Sequence, residues 1–218
     1  SLDRRQRQMC IRDRYYNLAK ETVLIPGQQN LKILLVRHAP VNPSGYLYGS
    51  TDADIKRVSS RILKWLLSIL AHCQAFFSSP AMRCIKTYHA IFAGKPLPFQ
   101  IKEFWEQDFG DWEGLTYDSI PDHGELSGKD LVEFTPPNGE SFSELCHRTQ
   151  PPLLKIISER QVGEIVIFAH AGVIRSFLAL ALDSKELALK FSIDNLSITA
   201  IEALSNGQFS ISFVNQSV

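Results

Sequence analysis

Cysteine is scarce in the chain and shows no pairing pattern. Cys10, Cys73, Cys84 and Cys146 stand far apart with no CxxC between them. That spacing excludes a disulfide framework or a cysteine metal site and suits thiols kept in a reducing, cytoplasmic compartment. Net charge is absent too, because 23 basic residues balance 23 acidic ones. No overall field therefore draws the chain to nucleic acid or to an anionic membrane. Lys64, His72 and Lys185 break every candidate for the roughly eighteen consecutive apolar residues that a membrane span requires. HExxH and carboxylate clusters at metal-ligand spacing are also lacking, so no metal and no other cofactor is expected.

What remains is ordinary globular material. Hydrophobic residues make up 44% and charged residues 21% of the 218 positions, which suits one α/β domain with at most a small cap. Ser1 to Arg14 stands apart, with five arginines and no apolar periodicity. Its stretch from Arg5 to Arg14 resembles translated sequencing adaptor. Residues 1–14 are set aside as a non-native scar, the alternative being a disordered basic arm.

The chain is organised around Leu31-Lys32-Ile33-Leu34-Leu35-Val36, a buried-strand run that ends in Arg37-His38-Ala39-Pro40. Pro40 has no N–H to continue a ladder, so Arg37 and His38 fall at the carboxyl end of an inner strand, where open α/β sheets keep their ligands. The pattern repeats downstream. Glu164 to Ala169 forms a second such run, ends at His170, and leads into the apolar helix opened by Ala171-Gly172-Val173-Ile174-Arg175. Either histidine alone reads as an ordinary strand-end residue. Two strands delivering a histidine to one edge is a stronger signal.

Between them, a loop from Val41 to Asp52 lies over the first strand end, and its Ser, Thr and backbone N–H groups can line a pocket. Apolar residues recur at helical spacing from Ala53 to Leu70. Gln74 to Phe77 reads as a strand, and Ser79 with Pro80 as the N-cap and first position of a helix carrying Arg83 in its first turn. A cation there opposes the helix dipole and calls for an anion, either a ligand or a neighbouring carboxylate. Pro96 to Lys102 reads as an edge strand. It delivers Glu103 to Gly114, where aromatics and glycines intersperse five acidic residues. One carboxyl shielded by those aromatics is expected to hold a proton near neutrality. The polar stretch 115–138 reads as a small lid, and the helix after Ser141 is expected to be interrupted at Pro151-Pro152. Asn206-Gly207 marks a hairpin. The succession predicts a three-layer α/β/α sandwich with a mostly parallel sheet.

Five segments fall in an order and spacing that resemble the histidine phosphatase, or phosphoglycerate mutase-like, superfamily across residues 31–218. They are Leu35-Val36-Arg37-His38, Ser78 to Thr87, Glu106 to Gly114, Asn138-Gly139-Glu140-Ser141 and Ala169 to Arg175. Tyr48-Gly49-Ser50-Thr51-Asp52 and Phe109 to Gly114 make the chain most similar to alpha-ribazole phosphatases of cobalamin biosynthesis. The resemblance implies a metal-independent hydrolase of small phosphate monoesters that works through a covalent phosphohistidine. His38 matches the nucleophile, and Arg37, Arg83 and His170 match the groups that hold the phosphoryl oxygens. Glu106 matches the general acid, with Glu103, Asp108 and Glu113 as rivals in sequence alone. Ser44, Gly49, Ser50 and the N–H of Ala171 are the expected substrate contacts. The partner so implied is a small phosphate ester such as alpha-ribazole 5′-phosphate, and the sequence carries no sign of oligomeric state. The family's usual glycine after Arg-His is Ala39 here, its Glu-Thr is Pro40-Val41, and its Leu-Thr-x-x-Gly is missing around Asp54 to Ser59. These departures fall on the loop that reads the rest of the substrate. A phosphoglycerate mutase and a catalytically dead phospho-ligand binding module are the alternatives. A mutase carries a longer insertion before the second histidine, and a dead module loses the nucleophile or the acid, both of which this chain keeps.

Overall fold

Leu31–Arg37 forms strand β1, and its alternating side chains bury on both faces. Leu31, Ile33 and Leu35 point into one apolar cluster, Leu34 and Val36 into a second. Each such side chain contributes roughly 1.5–3 kcal/mol by leaving water. The computed structural model describes residues 30–218 except 123, 125, 161 and 162. The expectations for residues 1–14, Cys10 among them, lie outside the described residues.

The other strands are β2 (Val41–Asn42), β3 (Asp54–Ile55), β4 (Ala75–Ser78), β5 (Phe99–Gln100), β6 (Gly163–Ala169), β7 (Ile198–Ala203) and β8 (Phe209–Gln216). Six of them form a sheet in the order β5-β4-β6-β1-β7-β8, and β2 pairs with β3 in a separate ribbon. The strands β5, β4, β6 and β1 run parallel, while β7 and β8 are antiparallel. The helices are α1 (Ser60–Leu70), α2 (Met82–Ile91), α3 (Gly128–Glu133), α4 (Phe142–Arg160), α5 (Ala171–Leu182) and α6 (Lys185–Leu189). Leu66, Leu70, Cys84, Tyr88 and Ile91 of α1 and α2 fill one face of the sheet, and Leu145, Leu153, Val173 and Phe177 of α4 and α5 fill the other. This is the expected three-layer sandwich with a mostly parallel sheet. Among the described residues no helix is long and apolar enough to cross a membrane.

Several local expectations are corrected by tertiary contacts. The helix foreseen over 53–70 begins only at Ser60, because Ile55 pairs with Val41 in the small ribbon and Ser59 caps the helix through the N–H of Ile62. The helix foreseen from Pro80 starts at Met82, after a non-helical Ala81 whose N–H the Ser79 hydroxyl accepts at 3.3 Å while it also meets His170 Nε2. The edge strand shrinks to Phe99–Gln100 and gives way to a 3₁₀ turn at Lys102–Phe104. Helix α4 opens on a reciprocal cap between Ser141 and Glu144 and runs through Pro151 and Pro152. Bonds from Thr149 and Gln150 to Ser176 of α5 hold it beside the prolines. Within the stretch expected as a lid, Val132 of α3 is buried in the core.

Candidate active site

Strands β1 and β6 are paired in register from Leu31 with Gly163 to Arg37 with Ala169, so the residues after them come out side by side. His38 donates its N–H to Ala169 O at 3.0 Å, and Ser79, leaving β4, donates to Phe168 O at 2.9 Å. Three neighbouring strand ends thus present His38, His170 and Ser79 at one place. The two imidazole centroids are 5.1 Å apart.

The ring of His38 is held by its own backbone. Nδ1 lies 2.7 Å from Ala39 O, and a carbonyl only accepts, so Nδ1 carries the hydrogen and Nε2 keeps its lone pair. Burial, reinforced by the charges of Arg83 and Arg37, lowers the pKa of His38 to about 3, so the ring is neutral. The main chain here is fixed as well. Asn195 donates to His38 O at 2.9 Å, and Ala39 donates to Thr87 Oγ1 at 2.8 Å.

His170 is also buried and neutral, its pKa pushed well below the ordinary value by burial and then by Arg83 and His38. Its partners differ from those of His38. Arg83 Nε donates to Nδ1 at 3.1 Å, which leaves the hydrogen on Nε2, 2.9 Å from Ser79 Oγ. Arg83 is fully buried. Beyond His170 its fork reaches Thr51 O, Gly49 O and the carboxylate of Asp52. A guanidinium has five N–H groups, so one on Nη2 is left without an acceptor among the described residues. The same Asp52 accepts from the N–H of Met82 and so supplies the carboxylate that the start of α2 called for.

Arg37 is less satisfied still. It donates from Nη1 to Ile193 O, while Nε is buried without a hydrogen-bond partner among the described residues. Burial lowers its pKa and the charge of Glu106 raises it, which places the two groups in one electrostatic neighbourhood. Arg175, in the second turn of α5, shares it and donates to Phe191 O at 2.9 Å.

Of the acidic residues between 103 and 113 only Glu106 is buried. Its carboxylate accepts from the N–H groups of Gln107 and of Gly172 at 3.0 and 3.1 Å. A Cβ at 172 would stand 2.4 Å from Glu106 Oε1, so a side chain there would push this carboxylate aside. Glu113 is engaged elsewhere. Burial pulls its pKa up, but bonds from the 49–51 loop and from Phe109 outweigh that, and the carboxyl lies below its usual range. It accepts from the N–H groups of Gly49, Ser50, Thr51 and Phe109.

The expected substrate contacts are distributed differently from the phosphoryl groups. The Gly49 carbonyl receives Arg83 and Trp105, and a Cβ at this position would stand 2.0 Å from Gln107 O. Ser50 is bonded to Glu113, Asp108 and Trp105, and the Ser44 hydroxyl accepts from Lys56. The hydrogen-bonding groups of Gly49 and Ser50 therefore go chiefly to strapping the loop down. Ala171 opens α5, where a first-turn N–H has no intrahelical acceptor.

A family model described as the histidine phosphatase superfamily (branch 1) matches residues 33–217. The chain belongs to that superfamily. It is 31% identical over 197 residues to the bifunctional protein Rv2228c of Mycobacterium tuberculosis, a match covering 85% of this chain and 54% of that protein. It is also 31% identical over 170 residues to the 6-phosphofructo-2-kinase/fructose-2,6-bisphosphatase of Gallus gallus, covering 76% of this chain and 33% of that protein. This histidine phosphatase chain thus spans about half of one relative and a third of the other. In fold it resembles the mycobacterial glucosyl-3-phosphoglycerate phosphatase Rv2419c, with a TM-score of 0.76 at 18% identity over 87% of this chain and 100% of that one.

Some members of the site escape a reading of the histidine phosphatase sequence. Asn195 sits in an irregular stretch with nothing to mark it. Arg148, which donates to the Glu106 carbonyl at 3.2 Å, looks like any polar position of a helix. Asp52, Thr87 and Glu140 lie inside the recognisable segments, but their partners are distant in sequence. Among the described residues no group of three or more His, Cys, Asp or Glu is gathered as a metal site.

Proposed function

We propose that the chain is a phosphomonoesterase that works through a phosphohistidine on His38. The observation that carries this reading is the state of that ring: neutral, with Nδ1 engaged by Ala39, no bond at Nε2 among the described residues, and two arginines with unused N–H groups close enough for their charge to act on it. A neutral imidazole is a nucleophile, and buried cations with donors to spare stabilise the charge that builds on a transferring phosphoryl group. In the first step Nε2 bonds to phosphorus while the bond to the leaving oxygen breaks, and Glu106 gives that oxygen its proton. In the second, water attacks the phosphohistidine, Glu106 takes the water's proton, the N–P bond breaks, and phosphate departs. Arg37 and the remaining N–H of Arg83 hold the phosphoryl oxygens. A phosphoryl oxygen competes with Ser79 for the Nε2–H of His170.

The substrate class is a small phosphorylated metabolite. Two relatives bear names that mention such compounds, fructose-2,6-bisphosphate and glucosyl-3-phosphoglycerate, and the 48–52 and 109–114 segments favour alpha-ribazole 5′-phosphate. The chemistry as written requires no metal. Trapping tests the mechanism: labelled substrate quenched in alkali should leave acid-labile label on the wild type and none on His38→Ala. Label that persists on that variant, or its absence from the wild type, sinks the covalent route. Chelator should leave the rate unchanged, and a panel of phosphorylated metabolites identifies the substrate.

A further inference from the structure

Arg148, on the second turn of α4, makes a set of contacts that the phosphoryl chemistry does not explain. Its Nη1 donates to the carbonyls of Glu103 at 2.6 Å and Trp105 at 3.0 Å, and its Nη2 to the carbonyl of Glu106 at 3.2 Å. Its Nε and Nη2 also grip the two carboxylate oxygens of Glu140. All five N–H groups of the guanidinium are thereby used. A surface ion pair would be complete with Glu140 alone. Here the fork spends three donors on the backbone of one turn, and that turn carries the residue assigned above as the acid.

Glu140 completes the hold from the other side. It accepts the N–H of Asp108 on its carboxylate at 3.1 Å, gives its own N–H to Asp108 O at 2.8 Å, and receives Gln107 Nε2 on its carbonyl at 2.9 Å. Gly139 allows this approach, since a Cβ there would stand 2.5 Å from Asp108 O. The main chain on both flanks of Glu106 is therefore fastened to one ion pair, Arg148 with Glu140. The carboxylate itself is aligned separately, by the N–H groups of Gln107 and Gly172.

We infer that Arg148 is a positioning residue for proton transfer by Glu106, acting through the backbone of residues 103–106. The inference rests on the acid role proposed for Glu106. A shift of about 1 Å in a catalytic group costs on the order of 10²-fold in rate, and the acid matters only as far as the leaving oxygen needs a proton. An alkyl phosphate, whose alkoxide leaves poorly, depends on it fully. p-Nitrophenyl phosphate, whose phenolate leaves readily, depends on it little. Loss of Arg148 should therefore change the ratio of the two rates, whereas a general loss of folded protein lowers both equally and leaves the ratio untouched.

The test measures kcat/KM for ribose 5-phosphate and p-nitrophenyl phosphate on wild type, Arg148→Met, Arg148→Lys and Glu106→Gln. The expected result is a fall of about tenfold or more in the alkyl-to-aryl ratio for Arg148→Met, in the same direction as for Glu106→Gln. Arg148→Lys, which keeps the charge beside Glu140 but not the fork, should fall between. If Glu106→Gln lowers the ratio and Arg148→Met leaves it at the wild-type value, Arg148 is scaffold only and the inference is overturned. If Glu106→Gln itself lowers both rates alike, the acid assignment fails, whatever Arg148 does.

Discussion

Arg37 feels the charge of Glu106 and Arg148 grips its backbone, and the protein uses the hydrogen-bonding capacity of the two very differently. Arg148 has an acceptor for each of its five N–H groups. Arg37 has one bond, to Ile193 O, and a buried Nε with no partner among the described residues. Burying an ion with unused donors costs free energy that a fold ordinarily avoids. On the function proposed above, the saturated cation holds the scaffold, and the unsaturated one is where an anionic substrate would bind. Arg83 lies between them, with a single N–H left over.

The largest expected effect breaks this comparison if it fails. Arg37→Met should lower kcat/KM by about 10²–10³-fold, the usual loss for one preorganised donor to developing charge. It should leave thermal stability equal or higher, because an orphaned buried donor is removed along with the charge. Arg148→Met should instead destabilise the protein by roughly 1–3 kcal/mol, since a partly buried Glu140 and three carbonyls lose their donors at once. Equal melting temperatures for the two variants would show that unused donors do not separate site from scaffold.

The difference between the two arginines was not visible in the sequence, although much else was. The register of β1 against β6 follows from two apolar runs that each stop at a histidine, so the meeting of His38 and His170 was readable. What stayed hidden was set by partners far along the chain. Ser79 with Pro80 has the form of a helix cap, but its hydroxyl is shared between the Ala81 N–H and His170, and the helix starts later, at Met82. Ile55 fits the helical spacing of α1, but a strand partner at Val41 outcompetes it. Glu106 and Glu113 share one aromatic-rich acidic segment. Only the fold sends one to the first turn of α5 and the other to the N–H groups of the 49–51 loop.

The second effect concerns protons. His38 and His170 stay neutral in the folded chain below the pH at which an unfolded histidine, with a pKa near about 6.5, takes up a proton. Between the lowered folded values and that one, the unfolded chain binds more protons than the folded chain. Stability therefore rises with pH across this window and is full above it. The melting temperature should fall as pH is lowered from about 7 to 5, and less steeply in His38→Asn. Over the same range the ring signals of His38 should not titrate. A His38 midpoint near neutrality would remove the neutral ring on which the proposed nucleophile depends.

The smallest effect tests whether satisfied groups near the nucleophile matter beyond stability. Thr87 Oγ1 accepts from Ala39 N–H at 2.8 Å and donates to Arg83 O at 2.7 Å, so one buried hydroxyl ties the loop after His38 to the helix that carries Arg83. Thr87→Val keeps the shape and leaves the Ala39 N–H without its acceptor, at a cost of about 1–3 kcal/mol. Because Ala39 O is also the acceptor that fixes the His38 tautomer, kcat should fall as well, by about tenfold or less. Thr87→Ser restores the hydroxyl while losing a methyl group, so it should recover rate more fully than stability. If Val and Ser variants share one kcat, the hydroxyl serves packing alone. The tautomer of His38 must then be held by Ala39 without help, and the His38 side of the site is less supported than Arg148 makes the Glu106 side.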